Sequence, residues 1–445
     1  MYVVTNNIEI TPENVQSWIT YFKGSILPIY ENLDTYYQGV DKLNKVETEL
    51  DKYNKRQLNI IHSNLAKMIV TNACGYFMGK PVTYAFDNFK DEKNYKQLLW
   101  QNDEQAENQS LAKMQSVYGV AYELMGVDIN KQLYIKALSP LNTFFVVDNS
   151  ILKRKICAIT FWTSNLSDNT QETRGFIYTP TEIIPFNGSD SYALGVVELN
   201  PFKPCIPVFE FKNNDEEQGD FASVTELLSA YSKLISTSFD DVDSIANSIL
   251  ALVNARISKD ESKELKKSRV IELMGDNADI KYVSKNISKE YVEYLRNALR
   301  EDIFSITNVP DLTDEKFAGN QSGVALSYKL IGFENLRLIK KNYFERGLFE
   351  RLKCYMNFKK LLPVAEDVKE GSVTITFQVN LPTNIDKDSQ YADLYNKGVI
   401  SLKTCLEHLE VVDDVDEEEK RIQEEKPNIE DLDGQTGTET GHQGQ

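Results

Sequence analysis

The sequence predicts an α+β chain, with a mostly antiparallel sheet in the first half and then long helices that enclose a small β insertion. Between about residues 120 and 211, apolar residues alternate with period two in short runs separated by Gly, Pro and Asn. From about residue 221 onward they recur every three or four positions instead. Bulk supports the same class: 445 residues with 41% hydrophobic and 11% aromatic side chains can bury a sizeable core, too apolar for a disordered chain. At roughly 100–200 residues per domain this length makes about two to four folding units.

In chain order, Thr11 caps a first helix with Pro12 at its first position and Val15, Trp18, Ile19 and Phe22 at helical spacing. A second short helix stops at Tyr36-Tyr37-Gln38-Gly39, and the Lys/Glu-rich stretch 42–55 reads as a surface loop. An amphipathic helix over 59–74 places Ile61, Leu65, Met68, Ile69 and Ala73 on one face and is expected to end at Gly75; Gly79-Lys80-Pro81 then turns into a strand at 82–86. After a helix over 104–118, strands are expected at 121–128 and 133–138 as a hairpin, then at 144–148, 156–163, 175–179, 182–186, 193–199 and 207–211.

From residue 222 the apolar residues Val224, Leu228, Tyr231, Ile235, Val242, Ile245, Ile249 and Leu252 predict one helix to 254, about 50 Å long if unbroken. A basic polar segment (256–269), strands at 270–274 and 280–283 around a Gly275-Asp276-Asn277 turn, and a helix over 289–306 follow. On that helix Val292, Leu295, Leu299, Ile303 and Ile306 share a face. Residues 308–320 contain Pro310 and Gly319 yet keep Leu312 and Phe317, the signature of a structured loop. A long helix over 322–360 carries Arg337, Lys340, Lys341, Arg346, Arg351, Lys353, Lys359 and Lys360 against Glu334, Glu345 and Glu350. A strand at 373–379 and short helices at 389–396 and 402–409 close the ordered part, and the Gly/Thr/Gln-rich end is expected to be disordered.

Charge and rare residues exclude several function classes. With 49 basic and 67 acidic side chains the net charge is −18, and residues 410–445 hold 13 acids and 3 bases, which is −10 of it. Such a surface disfavours tight non-specific wrapping of DNA, where Lys and Arg must displace counterions, but it lets DNA slide past. Five dispersed cysteines without a C-x-x-C pair argue against a disulfide framework and a zinc site, and fit a reducing compartment. No apolar run reaches membrane-spanning length, and the first residues show no leader pattern, so the chain is expected to work where it is made.

Enzyme chemistry finds few bases, because His62, His408 and His442 lie far apart; none of the three is assigned a catalytic role. Gly75 to Pro81 has three residues between its glycines and Pro81 where a phosphate-binding loop needs Ser or Thr. Gly319-Asn320-Gln321-Ser322-Gly323 displaces its serine by one position from a nucleophile elbow. Asp240-Asp241-Val242-Asp243 splits its acids around a helix, and the run 413–419 lacks the alternation and central glycine of a calcium loop. Neither catalytic residues, nor a metal, nor a cofactor is expected.

Several blocks resemble the portal proteins of tailed bacteriophages, of the type found in long-tailed phages of Gram-positive hosts. They are Tyr36-Tyr37-Gln38-Gly39; Asn64-Leu65-Ala66 with Gly75-Tyr76-Phe77-Met78-Gly79-Lys80-Pro81-Val82; Tyr118-Gly119-Val120-Ala121-Tyr122-Glu123-Leu124; Ile206-Pro207-Val208-Phe209-Glu210-Phe211-Lys212-Asn213-Asn214; and Pro310-Asp311-Leu312 with Phe317-Ala318-Gly319-Asn320-Gln321-Ser322-Gly323-Val324-Ala325-Leu326. Their order and spacing over about 36–330 carry the resemblance, and the acidic helical end agrees with it.

The resemblance implies a portal fold assembled as a cyclic ring, a homo-dodecamer, with a 13-mer as a second closure of the isolated protein. Its implied parts are a wing (1–221), a stem helix (222–255), a clip (256–287), a second stem helix (288–306), a tunnel loop (307–321), a long helix and strand returning to the wing (322–385), a helical acidic crown (386–430) and a disordered tail (431–445). The channel loop would comprise Val309, Pro310, Asp311, Leu312, Thr313, Asp314, Glu315, Lys316, Phe317, Gly319 and Asn320. Lys259, Lys263, Lys266, Lys267 and Arg269 would face partners at the clip. Arg337, Lys340, Lys341 and Arg346 would face DNA or the loop, or pair with acids of the adjacent subunit, the pairing being favoured. The implied role is the conduit at one capsid vertex of the virion, assembled in the host cytoplasm. Implied partners are the terminase large subunit, the major capsid and scaffolding proteins, a head-completion or adaptor protein, and double-stranded DNA that slides through; no membrane is involved. Two other classes remain: a cytosolic metal-dependent nucleic-acid-processing enzyme using Asp240 and Asp243, whose cleavage Asp240→Ala would abolish, and an α-helical scaffold forming small oligomers without a channel.

Overall fold

A computed structural model describes residues 1–40, 60–87, 89, 91–165, 171–189, 191–246, 249–253, 279–283, 289–313, 328–360, 373–380, 385–409, 412, 415 and 418–424. The chain divides into two compact units, one made of Met1–Leu33, Ile69–Ala222 and Asn308–Gln445, the other of Asp34–Met68 and Ser223–Thr307. Residues 34–68, read from the sequence with the first unit, thus cluster with the helical insertion.

The first unit is built on three sheets. Strands β1 (Val3–Thr5), β5 (Thr143–Asp148), β6 (Lys155–Asn165), β7 (Gln171–Tyr178), β8 (Glu182–Gly188) and β10 (Glu198–Leu199) follow one another in the largest, with β9 (Tyr192–Leu194) also on β8. The β1–β5 pairing is parallel and the other pairings in this sheet are antiparallel. The hairpin β3 (Val120–Val127) and β4 (Leu133–Leu138) forms as the alternation predicts, and β11 (Val208–Lys212) adds to the other side of β3. Strand β2 (Val82–Phe86) pairs with β14 (Val373–Phe377), which stops two residues short of its expected end.

Helices cover these sheets. Helix α1 (Pro12–Tyr21) starts at Thr11, whose hydroxyl accepts the Asn14 N–H at 3.3 Å, and a π turn (Phe22–Ile26) joins it to α2 (Leu27–Gln38). Helix α3 (Leu65–Met78) begins six residues later than 59 and runs through Gly75. Helices α4 (Glu92–Gln101) and α5 (Glu104–Tyr118) follow; α4 escaped the sequence reading although Tyr95, Leu98 and Leu99 are its buried face. Gly119 takes the left-handed conformation (φ 82°) that ends α5 and launches β3, and a Cβ there would lie 1.9 Å from the Glu217 carbonyl oxygen. The expected single strand over 193–199 is instead the two short strands β9 and β10.

The long helix α8 (Ile331–Lys360) packs on β11, where a Cβ at Gly347 would come 2.5 Å from the Phe211 ring. Phe344 lies 4.7 Å from Phe211 and edge-on to Phe77, which stacks on Phe377, so one aromatic core joins α3, α8, β11 and β14. The expected start of α8 at 322 lies outside the described residues. Helices α9 (Ile385–Asn396) and α10 (Leu402–His408) follow later in the unit, α10 capped by Ser401.

In the second unit, α6 (Thr225–Ala246) packs against α7 (Lys289–Thr307). A single helix to 254 does not form. A 3₁₀ turn (Ala222–Val224) precedes α6, and Ile249–Val253 is strand β12, paired antiparallel with β13 (Asp279–Val283). Five consecutive apolar residues suit a paired strand as well as a helical seam, and pairing with β13 satisfies their backbone. At 22 residues α6 is about 33 Å long rather than 50. On α7, Ile306 is exposed while Phe304 and Thr307 are buried, which shifts the buried face from its expected position. Ile61 and Ser63 are not helical because their N–H groups donate to Ser236 Oγ (2.9 Å) and Ser232 Oγ (3.3 Å) on α6. The expected strand at 270–274, its turn at 275–277, the loop at 42–55 and the tail lie outside the described residues.

Candidate functional site

Three cations recur along the inner side of α8, and each meets an acid of its own chain. Burial of an unpaired charge is costly, so each position needs a counter-ion and further hydrogen bonds. Nearest the start of α8, Arg337 grips Glu334 one turn back, Nε to Oε2 at 2.8 Å and Nη2 to Oε1 at 2.6 Å. Tyr76 donates to the same carboxylate at 2.9 Å and stacks on Phe333. Burial works against ionisation of Glu334, but the Arg337 and Tyr76 hydrogen bonds outweigh it and hold its carboxyl below the ordinary value.

One turn on, Lys340 Nζ donates to Asp220 Oδ2 (2.6 Å) and Ser116 Oγ (2.5 Å), and Asn213 Nδ2 donates to Asp220 Oδ1 (2.9 Å). Toward the C-terminal end, Arg351 has no solvent exposure. Its guanidinium donates to Glu123 Oε1 (3.2 Å), to the Tyr84 hydroxyl (2.6 Å) and to Glu104, which also accepts the Tyr84 O–H at 2.5 Å. One guanidinium thus serves two carboxylates. Burial pushes the Glu123 carboxyl up to about 7, with Arg351 opposing and Glu104 adding to the rise.

The base of the 308–331 segment is pinned. Thr307 Oγ1 donates to the Ile303 carbonyl at 2.9 Å and ends α7, and Asn308 follows in the left-handed region at φ 55°. The Asn308 Oδ1 lies 2.8 Å from where a Cβ on Gly332 would stand, so the two ends of the segment approach within side-chain contact. Val309 is buried and Pro310 half-buried, whereas Leu312 is exposed. Asp311 Oδ1 accepts from the Thr313 N–H (3.1 Å) and hydroxyl (2.7 Å) in a local turn.

The sequence-singled residues therefore separate. Arg337 and Lys340 are buried against acids of their own chain, which leaves neither facing outward. Lys341 is half-buried, 4.0 Å from Glu345, and Arg346 is exposed over the Tyr343 ring at 4.7 Å. Asp314, Glu315, Lys316, Phe317, Gly319 and Asn320 lie outside the described residues, as do Lys259, Lys263, Lys266, Lys267 and Arg269. The Arg351 cluster was missed; its signal was a glutamate, Glu123, standing inside the apolar strand Val120–Val127. Among the described residues no group of three or more His, Cys, Asp or Glu is placed to hold a metal ion, and no helix is long and apolar enough to cross a membrane.

Residues 17–431 match the family model described as phage portal protein, SPP1 Gp6-like. The chain is 24% identical over 422 residues to the portal protein of Clostridium phage phiCD119, covering 89% of this chain and 90% of that relative. It is 22% identical over 429 residues to the portal protein of Bacillus phage SPP1, covering 90% of this chain and 81% of that relative.

Proposed function

The chain belongs to the SPP1 Gp6-like family of phage portal proteins, and from that premise we propose that it closes with copies of itself into a twelve-fold ring around a DNA channel at one capsid vertex. It is a phage portal protein, and the family is structural rather than catalytic, a component of the virion. The observation that supports the reading is coverage: the family match spans 17–431, nearly the whole chain rather than a fragment of it.

In this role the chain does no chemistry itself. DNA driven by a terminase passes through the ring, head-completion proteins and tail later seat on it, and the genome leaves through it on infection. Residues 1–221 with 322–385 form the wing, α6 and α7 with their flanks the stem, 256–287 the clip that meets terminase and adaptor through Lys259, Lys263, Lys266, Lys267 and Arg269, and 386–430 the crown. The loop over 307–321 projects into the channel. Of the four cations weighed on α8, Lys341 and Arg346 are the ones left to meet a neighbouring subunit or the loop. A net charge of −18 supports sliding over gripping, because acidic walls repel phosphates. Head-to-tail contacts between identical subunits close when the rotation per subunit divides a full turn.

Negative-stain electron microscopy of the purified protein, with rotational analysis of end-on views, tests this. Rings of twelve subunits of 50.9 kDa (about 611 kDa), or thirteen as a second closure, around a stained hole are the expected result. Monomers or dimers alone across salt and concentration would refute autonomous ring closure.

A further inference from the structure

Helix α8 is apolar on two opposite sides, whereas a helix lying on a core ordinarily buries one side and wets the other. Phe333, Phe344, Leu348 and Leu352 are buried on the inner side. Ile331, Leu338, Ile339 and Phe349 are exposed. Steps of three and four residues through the exposed Asn335, Asn342 and Arg346 link them into one outer stripe, which ends at Lys353. From Ile331 to Lys353 it is about 33 Å long. Its charge is one-sided. Arg337, Lys340, Arg351 and Lys359 all meet acids of their own chain, and Glu350 at the border of the stripe is taken by Lys155 at 3.5 Å. Among the described residues Arg346 and Lys353, both exposed, meet no acid.

A second surface of the same unit has the opposite character. In the large sheet Phe176 stands across from Pro185 on one side and from Thr160 on the other, and Trp162 lies two residues beyond Thr160. The Trp162 and Phe176 rings are 5.9 Å apart, so these side chains share one face. Ile183 continues that face, and its partner Glu198 carries it onto the edge strand β10. Trp162 and Glu198 are exposed, and Phe176, Ile183 and Pro185 are half-buried. Arg174 on this face is taken by Glu172 at 2.7 Å, whereas Glu198 meets no cation among the described residues.

We propose that the outer stripe of α8 is a subunit contact, covered by the Trp162 face of a second copy of the chain, with Arg346 and Lys353 set toward the Glu198 edge. This names the contact surface of the proposed ring and rests on that reading. Closure by rotation joins two different surfaces of one subunit, and these two are different, apolar and opposite in unspent charge. A chain of net charge −18 repels its own copies, so cations left over from internal pairing are where a copy is attracted. Apolar residues along the middle and charges at the border are also the anatomy of a protein contact.

The test places benzoylphenylalanine at Leu338 of the full-length chain. Equal parts of 15N-labelled and unlabelled protein are assembled together, irradiated and peptide-mapped, and the same sample is viewed by electron microscopy. Heavy–light cross-links to peptides holding Trp162, Phe176 or Pro185 are expected. The probe at Phe349 gives the same reading if the first variant misfolds. Rings whose cross-links stay within one chain, or reach another surface of the neighbour, overturn the contact and leave the ring reading standing. The expected cross-links in small oligomers without rings uphold the contact against the ring reading, and monomers without heavy–light products overturn both. Leu338→Glu is also expected to raise the concentration for half-assembly about tenfold or more. Ile129→Glu, exposed at the β3–β4 turn, should leave it unchanged, and equal assembly of the two variants overturns the proposal.

Discussion

Lys340 Nζ lies 2.6 Å from Asp220 Oδ2, with both side chains sealed from solvent (1% and 0% exposed). The pair fastens α8 to the segment that precedes α6, and Ser116 and Asn213 complete its hydrogen bonds. A buried pair of this kind costs much to break and little to replace whole, because removing one partner strands the other charge in an apolar medium. Lys340→Met is therefore expected to destabilise the subunit by about 3–5 kcal/mol, and the double variant Lys340→Met with Asp220→Leu to recover most of that loss. Chemical denaturation of both variants checks this, and equal losses would place the cost elsewhere.

Glu123 makes the first unit sensitive to pH. Its carboxyl is raised from 4.5 to about 7, so the folded chain keeps a proton that the unfolded chain releases. The sign follows directly: stability falls as pH rises from about 4.5 to about 7, by on the order of 3 kcal/mol, and levels off above. Glu123→Gln should flatten that slope in denaturation midpoints measured from pH 5 to 8. A slope unchanged in the variant would assign it to other groups.

Gly119 and Gly24 give opposite expectations for the same substitution. At Gly119 the backbone is left-handed and a Cβ would strike the Glu217 carbonyl, so Gly119→Ala should cost more than about 2 kcal/mol. At Gly24, in the π turn, a Cβ meets nothing within 4 Å, and Gly24→Ala should lie within about 0.5 kcal/mol of the wild type or stabilise it. Thermal unfolding of the two variants side by side distinguishes them.

Arg346 tests assembly rather than folding. Exposed beside Tyr343, it should tolerate Arg346→Ala within about 0.5 kcal/mol of subunit stability. If it pairs with an acid of the next subunit, the fraction of protein in rings should drop at unchanged stability, as read by sedimentation velocity. A ring fraction equal to wild type would remove Arg346 from the subunit contact.

Elements with a local signal were legible. The Thr11 cap and Pro12 start, the 104–118 helix and the β3–β4 hairpin all follow from neighbours within a few residues of one another. Errors fell where a local pattern allowed two answers. Ile249–Val253 fits a helical seam or a strand, and only a pairing partner some 30 residues on chose the strand. Likewise residues 61–63 look helical until Ser232 and Ser236 claim their N–H groups.

The same division holds for the candidate site. Sequence alone determined the α+β class, the acidic balance, many of the helices and strands with a local signal, and the family, since motif spacing and composition survive as linear information. It also showed that α8 is rich in cations. Which of those cations are spent inside the fold was decided by tertiary structure: the acids that neutralise Arg351 stand 228 and 247 residues away, and the one that neutralises Lys340 stands 120 away. Such pairings depend on which surfaces are desolvated together when the sheets and α8 pack, and a charge has no preferred partner until burial removes the water that would otherwise satisfy it.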